Sequence, residues 1–242
     1  MTYKRINIIP EIFASIIAVV AGFLIYVSRL GLDNYGELII KSILVSFFLI
    51  YSPHFLKGMV LNKVSKEWYL SKAFFIFAGM IILVLTGRIS IFLDVDLSYT
   101  IALLGGIVFV VTIMSGRKEG NSRTSSALSL LFILFGIWLI AAYCSNNYYH
   151  PLIKEKIITG AYAHREAIWH ASMAGMYKTY GVSSTGLDGL VPIYYHTFVH
   201  FVYGSMSGLL NISSTTFVNI CVPIIFIPLF FYLFILCTIN IS

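Results

Sequence analysis

Six long apolar segments dominate the chain and constrain its fold more than any other feature. They run from about Ile12 to Val27, Leu38 to Tyr51, Ala73 to Leu85, Tyr99 to Met114, Ala127 to Tyr143 and Phe217 to Ile239. A helix needs about 20 predominantly apolar residues to cross a bilayer, and in lipid every backbone polar group must be satisfied within the protein. Helices meet that demand. The alternating pattern of a membrane barrel is absent from these segments. The expected fold is therefore all-α, a polytopic membrane helix bundle of about six spans.

Composition agrees. Of 242 residues, 59% are hydrophobic and only 11% charged, and mean hydropathy is +0.89. A soluble domain is nearer half apolar and a quarter charged. An ordinary soluble enzyme, a disordered tail and a nucleic-acid module are excluded on these grounds. The net charge of +6 needs no nucleic acid, because membrane proteins keep basic loops on one side. Cys144, Cys221 and Cys237 form no metal spacing and read as small packing residues.

Lysines and arginines give the sidedness. Lys4 and Arg5, then Lys57, Lys63, Lys66 and Lys72, then Arg117, Lys118 and Arg123 gather on one side of a six-span arrangement. The expectation is a bacterial inner-membrane protein with both termini cytoplasmic. Lys4 and Arg5 precede an uncleaved first span, since no small-residue cleavage site follows it. Lys41 is expected to snorkel to the interface, and Pro53 to kink or end the second helix. The spans otherwise hold few ionisable groups, which argues against transport; Pro223 and Pro228 are expected to kink the last one.

The organisation expected is a five-span region at 1–145, an extracytoplasmic helical loop at 146–215, and a sixth span at 216–242. Five of the six histidines, His150, His164, His170, His196 and His200, fall in that loop. One helix is expected from Tyr162 to Tyr180, ended by Gly181. Glu166, His170, Met173 and Tyr177 share a face at spacings of four, three and four. A second helix is expected from Pro192 to Leu210. His196 and His200 share its face, and Gly204 and Gly208 continue the row, permitting close helix approach. A Gly- and Ser-rich connection, VSSTGLDGL, with Asp188 between glycines, joins them.

The run EAIWHASMAGMYKTYG, then VSSTGLDGL, then PIYYHTFVHFVYGSMSGLLNIS resembles the first extracytoplasmic loop of the GT-C superfamily of membrane glycosyltransferases. Members carry an acidic residue at the start of a loop helix, a glycine at its end, a variable segment, a tyrosine-containing second helix and a short apolar turn into the next span. The resemblance implies that the chain is the amino-terminal part of such an enzyme. Its partners would be membrane lipid, a polyprenyl-phosphate-linked sugar donor and a glycan or lipid acceptor in cell-surface glycan assembly. Glu166 stands at the position of the catalytic base. His196, His200, Arg165 and Lys178, with His170 and Asp188, stand as candidate substrate-binding residues. A donor groove lined by lipid-facing residues would end at Glu166.

Two other readings compete. Glu166-x3-His170 and His196-x3-His200 each put two metal-type ligands on one helix face. If the faces meet, a divalent metal cofactor and a metal-dependent hydrolase or transferase follow. A non-catalytic membrane subunit would instead scatter the histidines.

Overall fold

The computed structural model describes residues 9–28, 35–60, 68–116, 134–136, 138, 165–186, 189–194 and 196–241. Seven helices carry the described chain: α1 (Ile9–Ser28), α2 (Tyr35–Val60), α3 (Trp68–Leu93), α4 (Ser98–Gly116), α5 (Arg165–Tyr180), α6 (Thr197–Leu209) and α7 (Val222–Ile241). The chain enters α7 through a helical turn, Ser214–Thr216, and a π-helical turn, Phe217–Cys221.

Four helical stretches are long and apolar enough to cross a membrane: Pro10–Val27, Tyr35–Pro53, Lys72–Leu93 and Ser214–Cys237. The fourth expected span is the shorter apolar helix Ser98–Met114. The fifth lies mostly outside the described residues; its helical residues Leu134–Gly136 and Trp138 reach α7, where Phe135 and Phe231 rings meet edge to face at 6.1 Å. Unpacked faces of these helices expose Phe23, Phe74, Phe77, Leu103 and Phe230. So much bare aromatic and aliphatic surface belongs against lipid.

Helix α2 is the hub, packing on α1, α3, α4 and α7. Of the two effects expected of Pro53, a kink or an end, it does not end the helix, because α2 continues to Val60. Proline removes the bond that residue 53 would give to the carbonyl of Leu49. The Ser52 hydroxyl donates to that carbonyl at 3.2 Å instead, so no backbone acceptor is stranded in the apolar interior. Lys41 sends its ammonium back toward the exposed start of α2. It pairs with Glu37 at 2.6 Å and sits 3.4 Å above the Tyr99 ring of α4, an ion pair and a cation–π contact that hold it at 9% exposure. Before Pro223 the helix widens to its π-helical turn, the Val222 N–H reaching the Phe217 carbonyl. This is a common way to accommodate a proline downstream.

One polar cluster fixes how the helices alternate. Glu11 near the start of α1 is fully buried and ion-paired with Lys72 near the start of α3, itself 2% exposed. Tyr232 of α7 donates to the same Glu11 carboxylate oxygen at 2.7 Å. Ser15 Oγ lies 2.8 Å from Tyr51 Oη of α2. The first parts of α1 and α3 therefore meet the later parts of α2 and α7 at one end of the bundle. That is an up-and-down arrangement, and it brings the start of α1, the end of α2, the start of α3 and the end of α7 to one side of the bundle. It also corrects the expectation of spans nearly free of ionisable groups. A carboxylate and an ammonium this deep need each other, since either alone carries a desolvation penalty of several kcal/mol.

The opposite end holds the α3–α4 turn and the α5–α6 pair. Burial pushes the Asp96 carboxyl up, but the bond from the Ser98 N–H at 2.8 Å, with the Ser98 hydroxyl, Lys41 and Asn211 nearby, outweighs it and holds the carboxyl below its ordinary value.

Candidate functional site

Helix α5 begins at Arg165 and ends where the Gly181 N–H bonds to the Tyr177 carbonyl at 3.0 Å. Gly181 has φ +72°, the left-handed cap that glycine adopts without penalty. The following segment folds on itself. Ser184 Oγ accepts from the Gly186 N–H at 3.1 Å and donates to the Gly189 carbonyl at 3.0 Å. The Ile193 N–H then bonds to the Ser183 carbonyl at 2.7 Å. These bonds return the chain to the side of α5.

They also accompany a shift in α6. The helix was expected to begin near Pro192 but starts at Thr197. Residues 191–194 are non-helical, with the Ile193 N–H bonded to the Ser183 carbonyl. His196, the N-cap, adopts φ +50°. Left-handed backbone at a non-glycine residue is held only where the surroundings demand it. His200 still bonds by its N–H to the His196 carbonyl at 3.2 Å, and both rings lie near that of His170.

Small residues then let three helices close up. A Cβ added at Gly204 would stand 2.5 Å from the Ala174 carbonyl oxygen of α5, and one at Gly87 of α3 would stand 2.1 Å from the Ser205 carbonyl oxygen of α6. Gly208 lies equally close to the Ile91 side chain of α3. The expectation of close approach at Gly204 and Gly208 is met. Arg88 of α3 donates to the Tyr177 carbonyl at 2.9 Å and secures the end of α5.

This packing brings three of the five loop histidines together. His170 Nδ1 lies 2.9 Å from His200 Nε2. The His170 and His200 ring centres are 5.1 Å apart, and those of His170 and His196 6.1 Å. The other nitrogen of His200, Nδ1, faces the buried Ser183 hydroxyl at 3.5 Å. The Trp169 ring stands edge-on to His200 at 5.5 Å. His200 is wholly buried. Burial first, then the neighbouring His170 and His196, push its pKa down to about 4. At pH 7 its ring is neutral, offering a lone pair or an N–H rather than a positive charge.

The remaining candidates are distributed differently. Glu166 and Arg165 occupy the first turn of α5, and helical geometry puts residue 166 on the His170 face; both side chains lie outside the described residues. Asp188, His150 and His164 lie outside them too. Lys178 is eight residues past His170, about 12 Å along the helix at 1.5 Å per residue. It donates to the Ile212 carbonyl at 2.8 Å, and burial lowers its pKa. It ties α5 to the entry of α7 rather than joining the histidines.

Ser183 and Trp169 belong to the cluster, yet no periodicity in the sequence marks Ser183 as part of it. Among the described residues, no group of three His, Cys, Asp or Glu side chains is placed to hold a metal ion. An open apolar groove of about 320 Å³ lies along α1, α2 and α4, lined by Ile12, Ser15, Ile16, Tyr51 and Phe109 among others. It ends beside the Glu11 cluster, at the opposite end of the bundle from α5, and so is not the groove expected at Glu166. No protein-family model, curated protein or solved structure matches the chain.

Proposed function

We propose that this membrane protein carries the acceptor-activating loop of a GT-C-like glycosyltransferase that uses a polyprenyl-phosphate-linked sugar. The observation that carries the reading is the His170–His200 contact, which joins the two loop helices one turn after position 166 of α5. The order of parts supports it: an acidic position opening a helix, a glycine closing it, a Ser- and Gly-rich connection, a second helix, and a short turn into an apolar helix.

In this reading the Glu166 carboxylate takes the proton from an acceptor hydroxyl as that oxygen attacks the anomeric carbon of the sugar. The bond from that carbon to the lipid phosphate breaks, and the phosphate leaves with the bonding electron pair. Arg165, His196 and the N–H groups of the histidine cluster hold the leaving phosphate. Orientation of the loop away from the cytoplasm and placement in a bacterial inner membrane belong to the same proposal, supported by the lysine and arginine bias.

The test is photo-crosslinking of a benzophenone-bearing polyprenyl phosphate to the full chain in lipid nanodiscs. Labelling within residues 165–200, competed by unmodified polyprenyl phosphate, is expected. Labelling confined to the groove along α1, α2 and α4, or none that competes, would overturn the proposal.

A further inference from the structure

We infer that α5 and α6 sink into the bilayer as a re-entrant pair, their outer face of Ile168, Phe198 and Val199 packed against lipid hydrocarbon instead of water. This goes beyond the transferase reading and does not rest on it.

The sequence of the pair suits lipid. From Gly189 to Ser242 there is no Asp, Glu, Lys or Arg. That stretch holds all of α6 as well as the last span. Helix α5 has none either between Ile168 and Tyr177. A helix standing in water carries charged and polar side chains on its outer face. Here that face presents Ile168, Phe198 and Val199, all exposed. It is the kind of surface that the membrane span α3 shows at Ile81, Leu85 and Ile89. Close packing of Gly87 against Ser205, and of Ile91 against Gly208, joins α6 to that span.

Contacts with the last span give the depth. That span opens at Ser214, and Ser207 Oγ lies 3.1 Å from Ser214 Oγ. Residue 207 is therefore level with its start. One turn earlier in α6, the Tyr203 ring meets those of Phe217 and Phe226 at 5.7 and 5.8 Å. These two residues lie about 4 and 18 Å into the span at 1.5 Å per residue. Traced backward from Ser207, α6 thus descends beside the last span, antiparallel to it. Continued straight, it carries Phe198 about 13 Å below residue 207. That is near the middle of a hydrocarbon core about 30 Å thick. Helix α5 descends with it, because His170 meets His200 and Ala174 meets Gly204. Ile168 consequently stands level with Phe198.

The polar groups are arranged as this depth requires. Irregular chain within a membrane is tolerated where protein buries it or where it lines a water-filled cavity. The chain between the two helices bonds to itself through Ser183, Ser184 and Ile193. His200 and Ser207 are wholly buried between helices. A ligand of the histidine pair then arrives through lipid, as an amphiphile does.

The test is spin-label accessibility in the full chain, reconstituted in lipid nanodiscs. Cys144→Ala and Cys237→Ala remove two thiols, and the buried Cys221 stays. Nitroxides are placed singly through Ile168→Cys and Phe198→Cys. Leu85→Cys on the exposed face of α3 gives the lipid reference, and Asp94→Cys in the α3–α4 turn the aqueous one. Collision with oxygen, which concentrates in lipid, is compared with collision with a water-soluble nickel chelate. Both test sites should give ratios nearer to Leu85→Cys than to Asp94→Cys. A ratio nearer to Asp94→Cys at either site would overturn the inference. Because both replaced side chains are exposed, folding should survive, and circular dichroism checks it. If one variant does not fold, the other decides alone.

Discussion

Replacing Lys72 by Met tests the buried charge cluster, because Met keeps much of the volume and removes the ammonium. Glu11 is 0% exposed and its ion-pair partner 2%. Removing one partner of such a pair costs about 3–5 kcal/mol, because the other charge stays buried. The carboxylate can escape by taking up a proton. From an ordinary pKa near 4.3, that costs about 3.7 kcal/mol at pH 7, at 1.36 kcal/mol per unit. The two limits agree, so Lys72→Met should lose about 3–4 kcal/mol at pH 7. The loss should shrink by about 1.4 kcal/mol for each unit the pH is lowered, since protonation becomes cheaper. The double variant Glu11→Gln/Lys72→Met leaves no charge and should return to within about 1 kcal/mol of the wild type. Reversible unfolding in mixed micelles with SDS, followed by circular dichroism, measures all three. A single-variant loss below about 1 kcal/mol, or a double variant no better than the single, would refute the reasoning.

Other regions make separate predictions. Gly204→Val should force α5 and α6 apart, costing about 1–3 kcal/mol and raising hydrogen exchange across residues 170–180. Ser52→Ala should leave the Leu49 carbonyl beside Pro53 unsatisfied, for about 1–3 kcal/mol in the same unfolding assay. Asp96 has a lowered folded pKa, so its contribution is present above the ordinary carboxylate value and lost as pH falls through the folded one. Asp96→Asn should therefore be less stable than the wild type at pH 7, with the difference closing in acid.

Much of the architecture was legible because lipid leaves so few solutions. Long apolar runs become helices, and α1 to α4 and the last span lie close to where hydropathy put them. The end of α5 was equally plain, since Gly181 is a local cap. Pro53 misled because its effect depends on a neighbouring hydroxyl and on burial, which a proline rule does not contain. The start of α6 misled because Pro192 suits a first helical turn, a local rule blind to the left-handed backbone at His196 that interrupts any right-handed helix there.

The candidate site was half legible. Helical spacing put His170 in register with Glu166, and His196 with His200, but their meeting depends on glycine contacts between helices. The Glu11 cluster was not legible at all. Lys72 reads as one more basic loop residue until α1, α2, α3 and α7 are assembled, and its partners come from positions as distant as Tyr232.

Transfer itself tests the central claim most directly. Full chain in nanodiscs would be given a mixture of radiolabelled polyprenyl-phosphate sugars and envelope glycan acceptors, beside Glu166→Gln. The account predicts label in the acceptor with the wild type. It predicts a rate lower by about 10²–10⁴ in the variant, the usual contribution of a general base, with donor binding retained. Label transferred equally by both, or by neither when the donor is bound, would contradict it.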